Sequence, residues 1–485
     1  MTKICRAFSV LGCYLFIMSS FAQEKVDDGE GLQQTLAPLP SHWQQSRIEE
    51  PIFGGVVHVI ETGQKNNRNI ILVHGLGYSG LRDWLDVIPQ LESDYHVIAL
   101  DLPGFGESDP TSLQLAPQRY AQLLKWLIPQ FSQQKVTVIG HSMGGAISLR
   151  FASEFPEMVE RLIMVDTAGV LHRSVFVRHM TQMPDRYEWL ANYQHRFNFI
   201  DSAVSRFNRF INKISGSVLS QLDKLPDPTL VLIQNPFAQK YVYKDRPTLN
   251  AAIGLINEDF SQAIDKLSVP THIIWGENDQ VAPLRTGELL QFHIDNAELN
   301  VIQDAGHVPM KDKPPEFMHK LMYALNNPPI KLQHSTDVKN EHLSTPATPS
   351  TLFCNNQNDR SFSGEYAYVH ISGCQYITLS HLSAEQIFIE NSDVALQDVV
   401  VKSDNLAMEV NNSFVTMTNV RLQGKTALKV KGSTVDAAGT EFTSSNHPIQ
   451  VVEDSLIYLS VSHQQYNGKL QYLHGMSEGN TYDLK

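Results

Sequence analysis

Residues 136–156 read VTVIGHSMGGAISLRFASEFP, and the texture changes in the middle. Val136 to Ile139 is a short apolar, β-branched run, the composition of a strand covered on both faces. Met143 to Phe155 has helical spacing of apolar positions and stops at Pro156, which a helix interior does not accept. Gly140-His141-Ser142-Met143-Gly144 is therefore expected to be a tight turn from strand into helix. Flanking glycines let the chain bend there, and a serine at such a bend has its hydroxyl pushed clear of the backbone. The following N–H, that of Met143, would lie at the helix start, where unpaired donors favour a negative oxygen.

Outward from this stretch, similar runs occur at 56–60, 69–73, 96–100, 162–165, 271–275 and 299–302, with helix-like segments at 83–91 and 117–128. Strand and helix in alternation are the signature of an α/β fold with a mostly parallel sheet. The alternation fails between about 169 and 267. Scattered aromatics such as Phe176, Trp189, Tyr193 and Phe207 there suggest a mostly helical insertion over the sheet.

Three polar residues follow strands and should emerge at one edge of that sheet. Ser142 follows 136–139, Asp279 follows 271–275 and His307 follows 299–302. Asp166, just after 162–165, is a substitute for the carboxylate, and His74 and His141 are alternatives for the base. His74-Gly75-Leu76-Gly77 follows 69–73, so the Leu76 N–H could join that of Met143 as an oxyanion donor. His74, Gly75 and Asp101 read as residues that support these loops, Asp101 by hydrogen bonds.

These segments resemble the α/β-hydrolase family, specifically its lid-bearing serine esterases and lipases. The matching marks are His74-Gly75, the run Asp101-Leu102-Pro103-Gly104-Phe105-Gly106-Glu107-Ser108, Gly140 to Gly145, Trp275 to Asp279, and Gly306-His307. The resemblance covers about 53–327. It implies a Ser142–His307–Asp279 triad, an insertion serving as lid, and hydrolysis of a small-molecule or polymer-linked carboxylic ester through an acyl-enzyme. C–C bond hydrolysis or acyl transfer would use the same triad. A rival pattern is Gly75-Leu76-Gly77-Tyr78-Ser79-Gly80 with Asp101 farther on, which fits a dinucleotide-binding loop. It leaves Ser142, Asp279 and His307 unexplained. No cofactor is expected, and no His-Glu-x-x-His or paired Cys-x-x-Cys suggests a metal.

The chain has 485 residues and a net charge of −13, which argues against nucleic acid as a partner. Lys3 and Arg6 precede an apolar run at 7–18, and Ser20-Phe21-Ala22 offers a cleavage site, so 1–22 reads as a signal peptide for export to periplasm or medium. The alternative is a lipoprotein anchored through Cys13. Residues 23–327 would form the hydrolase-like domain and 328–350 a Pro-rich linker.

Beyond 351 an all-β domain begins. Small-residue turns recur at Gly373-Cys374, Asn391-Ser392, Asn412-Ser413, Gly432-Ser433 and Asp454-Ser455, in steps of 18, 21, 20 and 22. A period near twenty with short strands suggests a parallel β-helix, with a β-sandwich as the alternative. Cys354 and Cys374 are one period apart, placing them on adjacent coils within disulfide reach. A regular solenoid face suits a polysaccharide or envelope partner, or docking of another protein.

Overall fold

The computed structural model describes residues 38–77, 79–172, 175, 246–330, 350–452 and 455–478. The expected signal peptide, most of the insertion and most of the linker lie outside these residues.

Eight strands build the first sheet: β1 (Gln44–Glu50), β2 (Gly55–Thr62), β3 (Asn69–Val73), β4 (His96–Leu100), β5 (Val136–His141), β6 (Val159–Val165), β7 (Thr271–Gly276) and β8 (Ala297–Ile302). Their spatial order is β1-β2-β4-β3-β5-β6-β7-β8. Pairing is parallel from β4 through β8, and antiparallel where β2 meets β1 and β4. Strands β3, β4, β5 and β7 are buried along their whole length, as continuous apolar runs in a covered parallel sheet should be. Strand β1 was not expected. Its polar sequence, QQSRIEE, carries no core signal because it is an edge strand largely facing solvent.

The helices are α1 (Ile88–Leu91), α2 (Pro117–Leu127), α3 (Met143–Glu154), α4 (Pro247–Ile256), α5 (Ser261–Lys266), α6 (Arg285–His293), α7 (Pro309–Asp312) and α8 (Pro314–Asn326). The helix expected over 83–91 is instead a 3-10 turn, Gly80–Trp84, followed by the short α1. Leu81 N–H is taken by the Asp101 carboxylate at 2.7 Å. Pro89 has no N–H to continue a helix begun before it, so the helix restarts around the proline. Of the insertion expected over 169–267, the described part from 246 on contains α4 and α5.

The second sheet is an all-β stack of coils: β9 (Thr351–Asn355), β10 (Asn358–Ser372), β11 (Gln375–Glu390), β12 (Asp393–Lys402), β13 (Leu406–Asn411), β14 (Phe414–Thr418), β15 (Arg421–Lys431), β16 (Thr434–Ala438), β17 (Glu441–Val452), β18 (Leu456–Tyr466) and β19 (Lys469–Glu478). All pairings are parallel except the last, where β19 returns antiparallel along β18. Side chains one coil apart pile into interior columns. One runs Cys354, Ile371, Ile389, Val410, Val430, Val451, and another Ile377, Val394, Val415, Val435, Ile457. All are buried, and each such Val or Ile contributes about 1.5–3 kcal/mol by leaving water. Cys354 and Cys374 form a disulfide with Cα atoms 6.7 Å apart.

The stack packs directly on the α/β part. Ala438, Leu456, Tyr458 and Val461 join the core cluster of the first sheet. Arg285 of α6 reaches Asp436 at 2.8 Å, and His293 of the same helix donates to the Gly439 carbonyl at 3.2 Å. The His172 N–H donates to Ser460 Oγ at 2.8 Å, and the Tyr472 hydroxyl to Asp265 of α5 at 2.6 Å.

Candidate active site

The turn after β5 is shaped by close contacts that only glycine permits. A Cβ on Gly140 would stand 2.2 Å from the Gly144 carbonyl oxygen, and one on Gly144 2.2 Å from that of Val73. Between them Ser142 adopts φ 53° and ψ −118°, a strained backbone for a residue with a side chain and a cost of about 1–3 kcal/mol. Helix α3 follows at once and holds the bend: Gly145 and Ala146 N–H groups both point at the Ser142 carbonyl.

The loops after β7 and β8 converge on this serine. His307 Nε2 lies 2.9 Å from Ser142 Oγ, and its Nδ1 lies 2.8 Å from Asp279 Oδ2. An ionised carboxylate only accepts, so Nδ1 carries the proton and Nε2 is left to accept from the serine hydroxyl. Asp279 is fixed in turn, because its Oδ1 accepts the N–H groups of Val281 at 2.7 Å and Ala282 at 2.9 Å. The His307 loop is pinned by Gly306 N–H donating to Asp312 of α7 at 2.8 Å. Asp166 directly follows β6, but its Oδ1 accepts the Gly276 N–H, and Asp279 is the acid that meets the imidazole.

The oxyanion candidates sit on either side. Met143 opens α3, so its N–H has no carbonyl of its own helix to bond. Leu76 follows Gly75, at which a Cβ would come within 3.1 Å of Ser142 Cβ, so the loop after β3 runs past the serine.

His74 and Asp101 are fully buried beneath these loops. His74 Nε2 accepts from Leu102 N–H at 2.9 Å and its Nδ1 donates to the Gly75 carbonyl at 2.7 Å. Asp101 gathers Leu81 N–H, Glu107 N–H and His58 Nδ1 at 2.7, 3.0 and 2.7 Å. Burial alone would raise its carboxyl, but the His58 bond, the nearby His74 and those two amides together hold it below the usual carboxylate range. With both oxygens engaged inside the protein, Asp101 has no face to offer a ribose, so the dinucleotide pattern is not realised.

His141, an alternative for the base, stands elsewhere. Its Nε2 donates to the backbone carbonyl of His307 at 2.7 Å, and its Nδ1 is buried with no partner among the described residues. Burial, with His307 beside it, pushes its imidazole down to about 4, so it is neutral in ordinary buffers. His58 was missed altogether. It lies in the middle of β2, far in sequence from the Asp101 it supports, and no motif contains it. Among the described residues no three His, Cys, Asp or Glu side chains gather as metal ligands would. A hollow of about 450 Å³ among Lys135, Glu160 and Pro270 lies at the amino ends of β5, β6 and β7, away from the serine.

A family model described as the alpha/beta hydrolase fold matches residues 68–314. An uncharacterized protein of Mycobacterium tuberculosis is 30% identical over 266 residues, covering 51% of this chain and 72% of that protein. A 2-hydroxy-6-oxononadienedioate/2-hydroxy-6-oxononatrienedioate hydrolase of Escherichia coli is 28% identical over 267 residues, covering 52% of this chain and 84% of that enzyme. Among solved structures, an esterase from Exiguobacterium antarcticum aligns with TM-score 0.42 and 22% identity, over 58% of this chain and 100% of that one.

Proposed function

Because this chain belongs to the alpha/beta hydrolase fold family, we propose that it is a serine hydrolase that cleaves a carboxylic ester through Ser142, His307 and Asp279. The observation that carries the proposal is one imidazole bridging Ser142 Oγ at 2.9 Å and Asp279 Oδ2 at 2.8 Å. A serine hydroxyl ionises too weakly at neutral pH to attack unaided. His307 Nε2 takes its proton as Oγ bonds to the ester carbonyl carbon, and the buried Asp279 stabilises the resulting imidazolium. The negative oxygen of the tetrahedral intermediate is received by the Met143 and Leu76 N–H groups, each worth about 3–4 kcal/mol. On collapse the C–O bond breaks and His307 returns the proton to the departing alcohol. Water then attacks the acyl-Ser142 by the same steps in reverse, releasing the acid and restoring the hydroxyl.

A panel of p-nitrophenyl esters of short to long acyl chain tests this. At least one should be hydrolysed, with Ser142→Ala lowering kcat by at least about 10³-fold. Undiminished turnover by that variant overturns the proposal. A second reading, C–C bond hydrolysis, is favoured by the Escherichia coli relative, a 2-hydroxy-6-oxononadienedioate/2-hydroxy-6-oxononatrienedioate hydrolase. Turnover of a vinylogous 1,5-diketone acid with none of the esters would select it. An acyltransferase would instead pass the acyl group of labelled Ser142 to an added alcohol faster than to water.

The proposal includes export, which is supported by the Cys354–Cys374 bridge, a bond that persists in oxidising compartments. It also gives the coil stack a polysaccharide or envelope partner. The support is outward-facing aromatic surface, with Phe353 65% and Tyr376 70% exposed. Retention of the full-length Ser142→Ala protein on insoluble polysaccharides is the expected result, and loss of retention in Phe353→Ala/Tyr376→Ala would locate it.

A further inference from the structure

Asp166 is the residue after β6, and it is entirely buried. Its backbone has φ 42°, a left-handed conformation uncommon for residues other than glycine. This bend turns the carboxyl across to the neighbouring strand end, where Oδ1 accepts the Gly276 N–H at 2.8 Å. Among the described residues the other oxygen, Oδ2, has no donor within reach. Asp279 shares that strand end, since its N–H donates to the carbonyl of the same Gly276 at 3.2 Å, and its carboxyl is the charged group that acts most on Asp166. Asp279 already accepts from Val281 and Ala282 on Oδ1 and from His307 on Oδ2. If both acids were ionised, like charges would face each other out of water and Oδ2 would stay unsatisfied. A single proton removes both costs: it makes Oδ2 a donor, and the Asp279 carboxylate has lone pairs to receive it.

We propose that Asp166 is a positioning residue of the triad, held as the neutral acid and donating its O–H to Asp279, which remains the carboxylate facing His307. The electrostatics run the same way. Burial first, then the charge of Asp279, push the Asp166 carboxyl well above its ordinary range, and Asp312 adds to this against the opposing pull of the Gly276 N–H. The charged and titratable groups around the pair are thus Asp279, Asp312 and, across Asp279, His307. The donated bond fixes which way the Asp279 carboxylate turns and draws part of its charge away from the imidazole. No proton leaves Asp166 during turnover, and the two acids together keep one negative charge.

This inference deepens the catalytic reading above and rests on it for the roles of Asp279 and His307, so its test reads protons rather than product. Two full-length variants are needed. Asp166→Asn imitates the neutral acid, and Asp166→Leu removes the donor. The carbonyl stretch of a protonated carboxyl is followed by infrared difference spectroscopy between wild type and Asp166→Asn, and the titration midpoint of His307 by NMR of histidine-labelled protein. The expected results are a protonated-acid band at pH 7 in wild type that is lost in Asp166→Asn, and a His307 midpoint that Asp166→Asn leaves in place. In Asp166→Leu the midpoint should rise by about half a pH unit, since Asp279 then pulls on the imidazolium undiluted. Absence of the band, or a midpoint that falls in Asp166→Asn as it would when a negative charge is removed, overturns the proposal. Should Asp166→Leu fail to fold, the band and Asp166→Asn still decide. Failure of Ser142 to react with a fluorophosphonate would count against the catalytic reading alone.

Discussion

A methyl group added at Gly144 would lie 2.2 Å from the Val73 carbonyl oxygen and 2.5 Å from that of His74, both backbone atoms that cannot swing aside. Gly144→Ala should therefore force α3 off β3, costing about 1–3 kcal/mol and displacing Ser142. A lower urea midpoint together with slower phosphonate labelling is the expected pair of results. At His141 the expectation is different. Its imidazole sits at about 4, so at neutral pH it carries no charge to lose. His141→Asn should leave the acid limb of the kcat/KM profile where it is, while kcat drops about ten- to a hundredfold through the freed His307 backbone. A limb that moves would show that His141 was charged. Ser142, Asp279 and His307 could be picked from the sequence because each follows an apolar run by a few residues. Asp166 also follows such a run, so the resemblance and not the spacing separated Asp279 from it. In the structure the choice depends on the amides of Val281 and Ala282, which turn Asp279 towards His307, and on the left-handed backbone that turns Asp166 away.

The coil stack owes its period to one repeated device. Ser392 Oγ accepts the N–H of Cys374 one coil back, Ser413 Oγ that of Ser392, and Ser433 Oγ that of Ser413, at 2.9, 3.1 and 3.0 Å. Each hydroxyl donates to the carbonyl two residues earlier in its own coil. The residue before each corner, Gly373, Asn391, Asn412 or Gly432, supplies the left-handed bend. Ser413→Ala would strand a buried N–H and should cost about 1–3 kcal/mol, read as a shift in the urea transition. Opening the disulfide with Cys374→Ser frees a loop spanning 20 residues and should cost about 3 kcal/mol by the same measurement. These elements were legible because the turn pairs recur in sequence at coil spacing. The segment 83–91 misled because its apolar spacing is helical, while Pro89 inside it has no N–H to continue the ladder, so a 3-10 turn and a short helix stand in its place.

At the scale of the whole molecule, a Pro-rich connection suggests two loosely tethered modules, yet the described residues form a shared core. Sequence could not reveal this, since Arg285 and Asp436 are 151 positions apart and His172 and Ser460 are 288 apart. The interface is also expected to respond to acid. Burial, with His463 and Arg421 nearby, pushes the His293 imidazole down to about 4 despite its bond to Gly439. An unfolded histidine takes its proton near 6.5, so the unfolded state binds more protons between those values. Stability present above pH 6.5 is lost as pH falls through about 4. Between pH 7 and 5 the loss should approach about 2 kcal/mol, and His293→Leu should show a smaller one by urea titration. The backward run of β19 has a wider meaning. A pile of parallel coils with a bare final rung is a template on which another pile can grow. Here β19 doubles back along β18 and its Tyr472 hydroxyl is fastened to Asp265 of α5, so among the described residues the parallel edge of β18 is covered by a strand of opposite direction.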